Sequence, residues 1–181
     1  MIVLPQLLNE LLDRVTEKRA GHLALDFARH ALDIRQGEID EEVMAACREC
    51  LVAGHEAIQL GEATPRLLQA QESLYAVAER WEGNRNRLAT GAGLTMQAVR
   101  VGCQRMLEEA REHVMRGSLL TCQDLAREIQ SGIGAWCAEQ TPDKGDDRRH
   151  AARRARWEEA RWQVRHIIET EPAPGETGTE R

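Results

Sequence analysis

Apolar residues recur every three or four positions along almost the whole chain, and glycine or proline interrupts the series at intervals. Leu4, Leu7, Leu8, Leu11, Leu12 and Val15 open it. That spacing lines one side of an α-helix and does not suit a strand, whose side chains repeat every two residues. Ala, Leu, Glu and Arg are abundant, and aromatic residues make up only 3%, a balance that favours helices. The pattern predicts an all-α chain: a single-domain bundle or stack of about seven helices with no β-sheet.

The interruptions give the expected boundaries. A first helix is expected over residues 5–19, stopped by Gly21, and a second over 22–36, stopped by Gly37. Asp40 caps a third, which turns Val43, Cys47, Cys50, Leu51, Ala57 and Ile58 inward and ends at Gly61. Gly54 lies on the same stripe and predicts a close helix approach. Thr64-Pro65 starts a fourth helix, running to about Trp81. Residues 83–87 read as a loop, and the periodicity resumes from about Leu94 through Val114 to a stop at Gly117. Thr121 and Asp124 have capping-box spacing at the start of a sixth helix. Within it, Gly132 and Gly134 each weaken a helix by roughly 1 kcal/mol relative to Ala, which predicts a kink or a tight contact. Asp146 and Asp147 begin the last helix, with acids at its positive end. The domain therefore covers residues 1–170, and residues 171–181 read as a disordered tail.

The last helix has two unequal apolar sides. Trp157, Ala160, Val164, Ile167 and Ile168 share one, expected to be buried, and Trp162 lies nearly opposite with Ala151 and Ala155. Trp81, Trp136 and Trp157 are expected in the core. Trp162 either packs against a second neighbour or stands exposed as an interface anchor.

Net charge is −6, unevenly spread. Residues 1–75 hold thirteen acids and seven bases; residues 148–166 hold seven arginines and two glutamates. The balance argues against general nucleic-acid binding and suits a basic protein partner. The five cysteines, at 47, 50, 103, 122 and 137, sit in apolar-periodic stretches and read as reduced core residues. No stretch approaches ~18 uninterrupted apolar residues, and the beginning lacks the basic, then apolar, run of a signal peptide. A cytoplasmic location is the expectation, with no membrane span.

Candidate chemistry is sparse. Cys47-x-x-Cys50 with His55 nearby has metal-ligand spacing, but both thiols fall on the apolar stripe of a helix, where two small core residues are expected. His22, Asp26, His30 and Asp33 line one side of the second helix, with Arg29 beside them. Such a stripe can bind a divalent metal, do acid–base chemistry, or form a solvated face with local His–Asp pairs. Glu-x-x-His pairs for a di-iron bundle, a Gly-x-Ser-x-Gly turn and a phosphate-binding loop are all missing. Glu38-x-x-Glu41 lacks the second acidic pair of an all-α pyrophosphohydrolase. No catalytic residue and no cofactor are assigned.

Three segments carry a resemblance. They are Leu23-Ala-Leu-Asp-Phe-Ala-Arg-His-Ala-Leu32, Val43-Met-Ala-Ala-Cys-Arg48, and the closing Arg156-Trp-Glu-Glu-Ala-Arg-Trp-Gln-Val-Arg-His-Ile-Ile168. Their order resembles the all-helical immunity proteins of bacterial polymorphic toxin systems. Where that family carries Pro-Arg at the start of the second of these helices, this chain reads Gly37-Glu-Ile-Asp-Glu-Glu42. The resemblance implies a non-enzymatic cytosolic protein that binds and neutralises a cognate toxin, here a basic one. Asp26, His30, Asp33, Trp162 and Arg165 are the partner-binding candidates. Two alternatives stand beside it. One is a metal-dependent all-α hydrolase using His22, Asp26, His30 and Asp33; the other is a helical scaffold that self-associates through the last helix.

Overall fold

The longest early apolar surface, Leu23 to Leu32, is buried on more than one side, and the other helices gather round it. The computed structural model describes residues 4–80, 85–110, 121–142 and 145–171, and of residues 85–90 the backbone only. Among the described residues there are seven helices and no strand: α1 (Leu4–Leu12), α2 (Glu17–Ile34), α3 (Glu41–Leu60), α4 (Pro65–Arg80), α5 (Arg85–Ala110), α6 (Cys122–Gln140) and α7 (Asp146–Glu169). None of them is long and apolar enough to cross a membrane. The expectation for residues 171–181 falls largely outside the described residues, since the description stops at Glu171.

Helix α2 is the hub. It packs on α3, α5 and α6, while α3 pairs with α4, and α6 pairs with α7. Phe27, Leu25, Ala24 and Ala28 are fully buried at its centre. Helix α1 covers the α6–α7 pair, where Gln123 and Arg127 reach Asn9.

Most of the expected helix ends are present with their expected chemistry. The Asp40 side chain accepts from the Glu42 amide, and Gly61 closes α3 in the left-handed conformation at φ 77°. The Thr64 hydroxyl accepts from the Leu67 amide. Thr121 and Asp124 form a reciprocal capping box. Asp146 and Asp147 occupy the first turn of α7.

Gly21 was expected as a helix boundary and is not. Helix α2 begins at Glu17, capped by Thr16, so Gly21 lies inside it rather than stopping a first helix at residue 19. Gly21 is there for contact. A Cβ at Gly21 would meet the Gly102 Cα at 3.1 Å, and one at Gly102 would meet the Gly21 carbonyl oxygen at 3.2 Å. The backbones of α2 and α5 meet at this point, with the tip of the Ile58 side chain of α3 against both glycines. Helix α5 also begins earlier than expected, at Arg85 within the stretch read as a loop, and Gly91 lies inside it, against Ile39 and Leu32. Gly54 makes the expected close approach, to Leu25. Helix α6 runs unbroken through Gly132 and Gly134. The tight contact is at Gly134, where a Cβ would meet Arg156 of α7 at 2.7 Å and the Ala152 carbonyl oxygen at 3.0 Å.

The crossing gives a direct contrast between glycines. Gly21→Ala forces one backbone away from another and should lower stability by about 1–3 kcal/mol. Gly132→Ala has open space around it and should raise stability by up to about 1 kcal/mol. Urea midpoints of the two variants should move in opposite directions.

Candidate functional site

The His22, Asp26, His30 and Asp33 stripe does not form a solvated face. Only Asp33 is exposed, paired with Arg48 and Arg29. The other three turn into the seams that α2 makes with α3 and α7, and each finds a partner there.

The partners form a nearly continuous line. His22 Nδ1 lies 2.8 Å from His55 Nδ1 of α3, with the rings stacked at 5.1 Å. His55 Nε2 is 3.4 Å from Asp26 Oδ1, and Asp26 Oδ2 is 2.9 Å from His166 Nε2 of α7. The His166 ring stacks on Trp162 at 4.8 Å, and Trp162 stacks on His30 at 3.5 Å. Phe27 meets the Trp162 ring edge-on. His30 Nε2 then lies 3.3 Å from Glu159, whose side chain is only 1% exposed. Gln163 donates to Glu159 Oε1 and accepts from Gln130 of α6. Four of the six histidines thus join three helices.

The chemistry of these groups fixes several protons. A carboxylate only accepts, so His55 and His166 both present Nε2–H to Asp26. The two facing Nδ1 atoms of His22 and His55 cannot both donate, so this contact carries one proton and not two. Burial and the neighbouring charge on His55 hold the His22 imidazole below its ordinary value. Burial raises the Asp26 carboxyl, but hydrogen bonds from His55 and His166 outweigh it and leave it below the usual carboxylate value.

These placements revise the candidate list. Asp26 and His30 are partly buried and face other helices, Asp26 toward His55 and His166 and His30 toward Glu159. Trp162 is half-buried, stacked between His30 and His166. The four stripe residues share no common ligand position, and among the described residues no three His, Cys, Asp or Glu side chains are arranged to hold a metal ion. Cys47 and Cys50 are buried core residues, their thiols pushed up by burial to about 11 and about 12.

Trp157, expected in the core, lies outside it, while Trp162 packs against a second neighbour, one of its two expected places. Trp157 is 54% exposed, with the Arg161 guanidinium 5.8 Å from its ring. The reason is polar: Glu159 and Gln163 are both buried. At ~100° per residue, Gln163 is the centre of the buried arc and Trp157 falls about 120° from it. Trp136 is half-buried, donating its indole N–H to Glu38. Trp81 lies outside the described residues. Among the partner-binding candidates, Asp33 and Arg165 remain exposed. Glu159, Gln163 and His166 escaped the sequence reading, and His55 entered it only beside Cys47 and Cys50, because a single polar residue on a helix carries no sign of which neighbour it meets.

No protein family, no curated protein and no solved structure matches the chain.

The network should leave a signature in acid. The folded values of His22 and Asp26 are both depressed, so each contributes stability above its unfolded value and loses it as pH falls through its folded one. Stability should therefore decline in two stages, first below 6.5 for His22 and then below 3.8 for Asp26. His22→Gln should flatten the first stage. Asp26→Asn should flatten the second and cost about 1–3 kcal/mol at neutral pH, through the hydrogen bonds it loses. Urea unfolding across a pH series checks both.

Proposed function

We propose that the chain is a non-enzymatic, cytoplasmic protein of the immunity type, which binds a cognate bacterial toxin protein and neutralises it. The observation that carries this reading is the outer face of α7. Trp157 and Ile168 are exposed there, at 54% and 53%, and Arg153, Arg161 and Arg165 flank them in solvent. Among the described residues, none of these three arginines forms an ion pair. Exposed tryptophan beside arginine is the composition of an interface hot spot, because both bury large planar surfaces at low entropic cost.

The histidine network supports the same reading from the other side. His22, Asp26, His30 and His166, the groups best suited to acid–base chemistry, are engaged in joining helices. The resemblance to helical immunity proteins rests on two early Ala-rich helices and the closing Trp/Arg helix, and the last of these is also where the open face lies. The net charge of −6 would steer the chain toward a basic toxin over long range, while the arginines of α7 take carboxylates at the contact itself.

Co-expression with a toxin-domain protein encoded beside it is the test. A stoichiometric complex and relief of toxin-induced growth arrest are expected. Trp157→Ala should weaken the complex by about tenfold or more with no change in melting temperature. Trp162→Ala should do the reverse, lowering stability by about 3 kcal/mol with little effect on affinity in the folded protein. A chain that binds no neighbouring gene product ends this reading.

A further inference from the structure

Two mid-helix glycines remain without a structural reason. Gly93 of α5 and Gly132 of α6 have negative φ, so neither conformation calls for glycine. Each weakens its helix relative to Ala. Gly21, Gly54, Gly91, Gly102 and Gly134 are all explained by a close neighbour, but a Cβ at Gly93 or Gly132 would meet no described atom within 4 Å. Both glycines line the same cleft, between α2, α5 and α6. Helix backbone left bare on two walls of one space is what close approach of a ligand requires.

The cleft has the composition of a small-molecule site. Its volume is about 260 Å³, just under the ~300 Å³ at which sites for drug-sized ligands begin. Leu32, Ile39, Leu94 and Ile129 supply an apolar wall. Arg35, at the end of α2, also lines it, and its Nε is buried with no hydrogen-bond partner. That Nε has no open surface, so a ligand carboxylate would meet the terminal guanidinium nitrogens of Arg35. Guanidinium groups bind carboxylates through paired N–H donors.

The opposite wall limits the charge. Gln97 donates to Glu128 Oε1 at 3.1 Å across the α5–α6 seam, which places a carboxylate in the same lining. With one cation and one anion there, a dianion such as a phosphate monoester is disfavoured, and a single negative charge on Arg35 is accommodated.

We propose that this cleft binds a small monocarboxylate with an apolar body, its carboxylate on Arg35 and its body along Leu32, Ile39, Leu94 and Ile129 between the bare backbones at Gly93 and Gly132. The site is separate from the α7 face and does not depend on the immunity reading.

Sodium hexanoate is the probe, titrated into the full chain by calorimetry up to millimolar concentration, with hexan-1-ol in parallel. Saturable binding of one hexanoate per chain is expected. Hexan-1-ol should bind at least about tenfold more weakly, as should hexanoate to Arg35→Gln, because each loses a charge-assisted hydrogen bond. Gly132→Leu should fill the cleft and abolish binding, while unfolding no earlier than the wild type because leucine is the better helix former. Arg35→Gln removes an unpaired donor and should also fold normally, so the two variants check each other. The proposal is overturned by any of three results: no saturable hexanoate binding, equal binding of hexan-1-ol, or wild-type affinity in either variant.

Discussion

Glu159, buried on α7, anchors the closing helix: Gln163 donates to its Oε1, and its Oε2 faces His30 of α2 at 3.3 Å without a hydrogen bond. The backbones of α2 and α7 make few close approaches. The space between them is filled by Trp162, stacked between His30 and His166, rather than by interdigitated aliphatic side chains. A buried carboxylate without a partner is strongly unfavourable. Rotating α7 to expose its apolar residues differently would strand Glu159, and would also separate His166 from Asp26 and Arg19 from the Ile167 carbonyl. Apolar packing alone tolerates such slippage; this set of paired groups admits one orientation.

Much of the fold was legible because helix ends are written locally. Asp40, Gly61, Thr64-Pro65 and the Thr121/Asp124 pair each act on backbone groups within a few residues of themselves, so reading them needs no knowledge of the neighbours. Gly21 misled for the opposite reason. Its role is set by Gly102, eighty-one positions away, and a glycine chosen for contact reads the same as one chosen to stop a helix. The face of α7 was misplaced by the same kind of distance. Burial of Glu159 and Gln163 depends on His30, Gln130 and the Ala126 carbonyl, and a count of apolar residues places polar ones outside by construction.

The site was legible in half. The spacing of His22, Asp26 and His30 marked one side of α2 as chemically distinct, and that side is where the network lies. Its use was hidden, since the partners come from α3 and α7. Internal pairing of these groups moves attention from a stripe of possible ligands to the two surfaces with something unaccounted for: the tryptophan and arginines outside α7, and the glycine-walled cleft beside Arg35. One is open and flat and offers planar side chains to another macromolecule. The other is narrow and apolar beside the Arg35 guanidinium, a shape for something small.

The Gly21–Gly102 crossing has an evolutionary consequence. Most core contacts can drift, because a larger residue on one side is offset by a smaller one on the other. Here neither side has anything smaller to change to. The two positions cannot compensate for each other, so divergence at this crossing would require the helices themselves to move apart. Descendants of this chain can vary α7, its outer face and the cleft lining in partial independence, while the angle at which α2 meets α5 is passed on unchanged or lost with the fold.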